Sequence, residues 1–154
     1  MLDINPIKAL GFALRFACGG AFLVAGLLKL RDPAAFAEQI ANYQFAPEFA
    51  NYLATLLPPL EILSGLVLIL LKGKMRWAAA AVLIGLLLAF TSALARAWAL
   101  GINLECGCFG TGSTEIGPWP ILRNLSLMAA LGVALWLDHR DNLRFPTRAE
   151  PSTS

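Results

Sequence analysis

The chain has 154 residues, of which 58% are hydrophobic and only 14% are charged. A soluble domain of this length is nearer half apolar and about a quarter charged, so the composition favours a protein surrounded mostly by lipid. The net charge of +2 is small, and no basic run with interleaved aromatic residues is present, which argues against nucleic-acid binding. No P-loop, dinucleotide-binding fingerprint or histidine-rich metal motif occurs, so no metal site is predicted.

Four apolar runs of roughly twenty residues each follow one another, and each is long enough to cross a hydrocarbon core. They are too long and too uniformly apolar for barrel strands. The first run is long for a signal peptide and lacks a cleavage site after it, so we expect it to be retained. The sequence predicts an all-α membrane protein, a four-transmembrane-helix bundle over residues 1–138. The spans are expected at about 10–30, 53–71, 77–100 and 119–137.

Two shorter segments have a different character. Within 33–47, Phe36, Ile40 and Tyr43 fall on one helical face among polar residues, which predicts a short amphipathic helix between spans 1 and 2. This helix is expected to lie on the membrane or to cap the bundle. From Asp138 the chain is polar, and residues 139–154 are predicted to form a flexible cytoplasmic tail.

The distribution of basic residues predicts the orientation. With four spans, the two termini and the connection between spans 2 and 3 share one side. That side holds Lys8, Lys72, Lys74, Arg76, Arg140, Arg144 and Arg148. The positive-inside rule makes it cytoplasmic, in the inner membrane of a bacterium. Arg15 is expected to snorkel to this surface, and the connection between spans 3 and 4 then faces the periplasm.

Cys106 and Cys108 lie in that connection, separated by one glycine. Two thiols so close in sequence form a strained disulfide, and a strained disulfide is easily reduced. Gly107 gives the backbone the freedom to close the small ring, and Phe109 is expected to anchor the loop. The pair predicts thiol–disulfide exchange, and whether the protein is an enzyme, a thiol–disulfide oxidoreductase, stays open.

Two other roles for the cysteine pair stay open. A static disulfide clip is one, although a clip over a single residue closes almost no loop and adds little stability. Binding of a soft ion such as Cu(I) or Zn by two thiolates is the other, although no histidine or further cysteine is nearby. Cys18, in the middle of the first run, is expected to be an inert buried thiol.

Several polar residues inside the apolar runs fall at the level of the cysteine loop: Lys29, Glu61, Arg96, Arg123 and Asn124. Ionisable residues inside a membrane are costly and usually functional. Lys29 and Arg96 have long side chains that can snorkel to the interface. Glu61, expected a turn or so into the second span, cannot, so it must pair with a cation or be protonated. We expect a pair with Arg123 or Lys29, in a structural or a functional role.

The sequence resembles a known family of membrane proteins. Residues 20–33 (GAFLVAGLLKLRDP) are similar to the first span of the DoxX-like proteins, and 60–61 with 65–66 are similar to their second span. Residues 105–110 (ECGCFG), followed by Arg-Asn at 123–124, resemble the branch typified by the methylamine utilisation protein MauE. The resemblance covers residues 10 to 137.

The resemblance implies a four-helix bundle in the inner membrane. It also implies a role in methylamine metabolism, through maturation of a disulfide-rich periplasmic partner or through electron exchange with a thioredoxin-like one. The bundle is similar to quinone-linked disulfide-forming enzymes of the vitamin K epoxide reductase type, so a quinone is a possible cofactor. Those enzymes use two cysteine pairs, whereas this chain has only one. The alternative to a redox protein is a non-enzymatic accessory subunit that docks a partner.

Overall fold

The computed structural model of the protein describes residues 6–43, 47–101 and 118–144, which are almost entirely helical. No β-strand occurs within these ranges. Helix α1 spans Pro6–Arg31, α2 Pro33–Asn42, α3 Ala50–Leu70, α4 Lys74–Ala99 and α5 Pro118–Arg144, and a 3₁₀ turn at Pro47–Phe49 precedes α3.

Four of the helices are long and apolar enough to cross a membrane. The segments are Ala9–Arg31, Pro47–Leu70, Lys74–Ala99 and Pro118–Arg140. At about 1.5 Å per residue, each exceeds the roughly 30 Å thickness of a hydrocarbon core. The predicted all-α fold with four spans is confirmed, and the protein is a multi-pass membrane protein.

The spans alternate in direction and form a bundle. Helix α1 packs against α3 and α5, and α4 packs against the same two helices, so the order around the bundle is α1, α3, α4, α5. The C-terminal ends of α1 and α4 meet the N-terminal ends of α3 and α5 at one end, where α2 also lies. We call this the α2 end, and the opposite one the Asp138 end.

The centre of the bundle is an apolar core, and its outer surface is apolar too. Leu68, Leu83 and Leu131 are fully buried, and Cys18 is buried in the same cluster, as predicted. Phe12 and Leu63 are more than half exposed in the isolated chain. In water such a surface would be a liability, and in a bilayer it is what the lipid-facing side of a span requires.

Helices α1 and α3 approach each other most closely where glycines face the partner backbone. A Cβ atom added at Gly19 would lie 2.9 Å from the carbonyl oxygen of Gly65, and one added at Gly65 would lie 2.8 Å from that of Gly19. Two turns along, a Cβ at Gly26 would lie 2.9 Å from the carbonyl oxygen of Pro58. Only glycine allows this approach, in which membrane helices gain van der Waals contact.

Helix α2 caps the bundle. Asp32 begins it by accepting a hydrogen bond from the backbone N–H of Ala35 at 3.0 Å, with Pro33 at the first helical position. Phe36 and Ile40 are buried against α3 in the next cluster of the core. Of the two predicted locations for this amphipathic helix, the structure shows the one on the bundle.

The Asp138 end is closed by a carboxylate that two arginines share. Asp138 Oδ1 accepts from Arg15 Nη1, and Asp138 Oδ2 accepts from Arg76 Nη1 at 2.6 Å. Arg76 Nε also donates to the carbonyl oxygen of Leu71 at 2.9 Å. Three spans, α1, α4 and α5, are joined in this way. Arg15 is therefore held in an ion pair rather than simply snorkelling.

Helix α5 does not end where the polar sequence begins. The fourth span was expected to finish at 137, with polar residues from Asp138 onward, whereas α5 continues to Arg144. The ion pairs of Asp138 hold the first polar residue against the bundle. The guanidinium of Arg140 lies over the ring of Trp136, one helical turn earlier, at 4.2 Å from the ring centre.

Candidate functional site

Lys29 and Glu61 form a buried ion pair between α1 and α3. Lys29 Nζ donates to Glu61 Oε1 at 2.5 Å, and the two residues are only 3% and 1% exposed. Glu61 lies on the same face of α3 as Pro58 and Gly65, which is the face that touches α1. Side chains lean toward the N-terminus of their own helix, so in two antiparallel helices these side chains lean toward each other. Of the two predicted partners of Glu61, the structure selects Lys29.

Glu61 lies deeper than the sequence indicated. It was expected a turn or so into the second span, but α3 already begins at Ala50 and continues through Pro58 and Pro59 without a break. Glu61 is therefore about three turns from the start of α3. The pair sits well inside the apolar part of the bundle, where an isolated charge is most costly.

Two aromatic rings complete the surroundings of the Lys29 ammonium group. Its Nζ atom lies 5.1 Å from the ring centre of Phe36 and 4.7 Å from that of Phe90. Rings at this distance attract a cation through their negative faces, most strongly where water is excluded. Lys29 is thus held by a carboxylate and by rings from α2 and α4, which fixes its position.

A small cavity adjoins the pair where all four spans meet, and we call it the polar cavity because four polar side chains contribute to an otherwise apolar lining. Its volume is about 30 Å³, and its polar lining consists of Lys29, Glu61, Arg123 and Asn124, with apolar side chains around them. Asn124 is buried and donates to Thr91 Oγ1 at 3.3 Å, which links α5 to α4. Lys29, Glu61 and Arg123 thus bring ionisable groups from α1, α3 and α5 to the same cavity.

A larger apolar cavity lies between α2, α3 and α4. Its volume is about 300 Å³, and Leu53, Leu57, Leu86 and Phe90 are among the side chains that line it, with Tyr43 and Ser92 as polar neighbours. Phe90 lines both cavities, and its ring is also in contact with the Lys29 ammonium group. Nothing in the sequence pattern indicated this cavity, because it depends on how α2 packs across the spans.

The remaining predicted site residues fall into two groups. Arg96 is exposed near the end of α4 and does not line the polar cavity, so the structure does not bring it to Glu61. Cys106, Cys108 and Phe109 lie outside the described residues. The chain enters and leaves this segment at Gly101 and Pro118, both at the α2 end. Gly101 adopts a left-handed conformation (φ 68°) that ends α4.

Comparison with known proteins gives the family. The family model described as "Methylamine utilisation protein MauE" matches residues 7–137, which include all four spans. The chain belongs to the MauE family. A curated MauE-family relative, the methylamine utilization protein MauE of Paracoccus denitrificans, is 37% identical over 132 residues. That alignment covers 82% of this chain and 69% of the relative. No solved structure matches the MauE-family chain.

The MauE-family match covers the residues of the polar cavity and ends one residue before Asp138. Lys29, Glu61, Arg123 and Asn124 lie within the matched residues, whereas Asp138 follows directly after them. The first group was predicted from the sequence, whereas the role of Asp138 was not. A signal for Asp138 was available, since an acidic residue at the end of the fourth run lies on the side that carries most of the basic residues.

Proposed function

We propose that this MauE-family protein serves methylamine utilisation by exchanging electrons with a periplasmic thioredoxin-like or disulfide-containing partner through Cys106 and Cys108. The observation that carries the proposal is the location of the charged groups. Gly101 and Pro118, the described residues on either side of the cysteine segment, lie at the end of the bundle nearest Lys29 and Arg123. The name of the Paracoccus relative supports the metabolic setting.

The proposed chemistry is thiol–disulfide exchange. A thiolate, formed when Cys106 or Cys108 loses its proton, attacks a disulfide sulfur of the partner and forms a mixed disulfide. The other cysteine then attacks that bond as a thiolate and releases the partner as a dithiol. Two electrons pass to the partner, and the pair is left as a disulfide; the reverse sequence oxidises the partner. Positive neighbours favour the thiolate, and Lys29 and Arg123 are cationic side chains towards this end of the bundle.

The proposed orientation places the α2 end in the periplasm. Arg76 and Arg140 lie at the Asp138 end, together with the turn that holds Lys72 and Lys74. By the positive-inside rule this end faces the cytoplasm. The cysteine segment then lies on the side of the inner membrane where disulfides persist.

A quinone is compatible with the apolar cavity beside the pair. Its volume of about 300 Å³ and its lining of leucines and Phe90 suit a flat lipophilic ring. When bound, a quinone accepts two electrons and two protons. The contribution of this chain is to exclude water with Leu53 and Leu57 and to offer the Phe90 ring for stacking.

We further propose that the family shares the DoxX-like architecture.

The decisive experiment is a redox titration of the cysteine pair. In a Cys18→Ser background, purified protein is equilibrated at graded potentials and alkylated, and the mass shift reports how much dithiol is present. We expect a midpoint within the range of known exchange proteins, above about −300 mV. A pair that remains oxidised throughout indicates a structural clip in an accessory subunit. A pair that never oxidises, with a thiolate-to-metal absorption band on adding Cu(I), indicates soft-metal binding.

Partner exchange and the metabolic role are tested in cells. A strain that lacks the Paracoccus denitrificans relative is supplied with this chain, and growth on methylamine is measured. We expect the wild-type chain and Cys18→Ser to support growth, and Cys106→Ser and Cys108→Ser to fail while still accumulating in the membrane. In one of the two single variants, the remaining thiol should trap the partner as a mixed disulfide. Growth of the double cysteine variant would exclude the redox role.

A further inference from the structure

The second carboxylate oxygen of Glu61 is not satisfied by the ion pair with Lys29. Oε1 accepts from Lys29, whereas Oε2 is buried and has no hydrogen-bond donor among the described residues. A buried carboxylate oxygen without a donor loses its hydration and gains nothing in return. Such atoms are rare in folded proteins, and where one occurs a bound water or ion is a common reason.

The polar cavity next to Glu61 meets both requirements for a bound water. A water needs a void of about 10–15 Å³ or more and two to four polar partners. The cavity measures about 30 Å³, and Lys29, Arg123 and Asn124 line it together with Glu61. An ionised carboxylate only accepts hydrogen bonds, so its ligand must be a donor. Lys29 already supplies a positive charge to Glu61 and the cavity is small, which points to a small neutral donor.

We propose that this cavity is an internal hydration site in which one water molecule, or a pair, donates to Glu61 Oε2 and accepts from Arg123 or Asn124. Helices α3 and α5 lie diagonally across the bundle, and the water connects their polar side chains through its centre. The site completes the hydrogen bonding of the Lys29–Glu61 pair at a depth where lipid offers none. This inference does not depend on the cysteine chemistry.

The first test compares three variants by thermal unfolding in lipid nanodiscs. Ala25 is buried and lines the cavity. Ala25→Val and Ala25→Thr occupy the same space, but only threonine brings a hydroxyl donor into the cavity in place of the water. We expect valine to lower the ratio of folded to unfolded protein by on the order of tenfold or more relative to threonine. Ala93→Val, in the apolar cavity, is the control and should be neutral or stabilising.

The outcomes of that test are distinct. A stabilising Ala25→Val would mean that the space is an empty void, and the proposal would be wrong. Equal losses for valine and threonine would mean that crowding alone matters and that Glu61 Oε2 needs no donor, which also overturns the proposal. A loss for valine with recovery by threonine supports it.

A second measurement uses the wild-type protein and detects the water itself. X-ray radiolysis in ¹⁸O-water converts bound water to hydroxyl radicals, which label the side chains beside it. Phe22 and Leu87 line the cavity, whereas Leu83 and Leu131 are at least as buried in the same core but do not line it. We expect ¹⁸O on Phe22 and Leu87 well above the level on Leu83 and Leu131. Equal labelling of the two pairs would contradict the hydration site.

Discussion

The two ends of the bundle each contain an ion pair between spans, but in opposite surroundings. At the α2 end, Lys29 and Glu61 have side chains only 3% and 2% exposed and meet one to one. At the Asp138 end, one carboxylate serves Arg15 and Arg76, and these side chains are 12–17% exposed. The two arginines are long and partly exposed, so they can reach water by themselves, whereas Lys29 and Glu61 are enclosed and depend on each other.

This difference separates a structural contact from a functional candidate. Burying two charges often costs as much as their attraction returns, so a buried pair is weak evidence for stability. The pair at the Asp138 end fastens three helices at little desolvation cost. The pair at the α2 end lines one cavity and lies close to the other. Binding of a ligand there would explain the buried charges more directly than stability does.

Glu61→Ala should have the largest effect on folding. It leaves the Lys29 ammonium group buried without its carboxylate, and breaking one side of a buried pair costs about 3–5 kcal/mol. Unfolding in detergent, followed by circular dichroism, measures the loss, with Glu38→Ala on the exposed side of α2 as the control. A loss no larger than that of Glu38→Ala would contradict a buried Lys29–Glu61 pair.

Gly26→Ala should come next. The added Cβ would lie 2.9 Å from the carbonyl oxygen of Pro58, so α1 and α3 must separate near Lys29 and Glu61. We expect a loss of about 1–3 kcal/mol, typical of overpacking. The matched control at the Asp138 end is Gly11→Ala, whose Cβ would lie 3.7 Å from Leu137, an ordinary contact. Equal effects of the two substitutions would argue against the close helix contact.

Asp138→Ala should cost less than either change at the α2 end. Its arginine partners are partly exposed and can turn toward the interface, and pairs of this kind contribute up to about 1 kcal/mol. The same unfolding measurement applies, and high salt should reduce the difference from wild type. A loss of stability as large as that of Glu61→Ala would mean that the charged groups at the two ends stabilise the bundle equally.

The double variant Lys29→Met with Glu61→Leu should change stability least. Replacing a buried pair by apolar residues of similar volume is often neutral or stabilising, so we expect unfolding within about 1 kcal/mol of wild type. Growth on methylamine in the complemented strain should nevertheless fall if the pair serves function. Full growth with normal stability would leave the pair without a functional role.

The sequence predicted most of the fold because lipid imposes simple rules on it. Twenty apolar residues in succession must be helical, so the four spans could be located directly. A short carboxylate in an apolar run requires a cation, so a partner for Glu61 could be named. The depth of Glu61 could not be predicted, because α3 passes through Pro58 and Pro59 and begins earlier than the apolar run. Both cavities depend on packing between helices, which no local pattern records. The roles of Cys106 and Cys108 stay predictions.

Phe90 couples the apolar cavity to the Lys29–Glu61 pair. Its ring is one wall of the apolar cavity, and it also faces the ammonium group of Lys29 at 4.7 Å. A ligand that moves the ring changes the energy of the charged pair. Reciprocity then requires that breaking the pair change the affinity of that ligand by the same factor. The affinity of such a ligand should therefore differ between the wild type and Lys29→Met, although Lys29 does not line the apolar cavity.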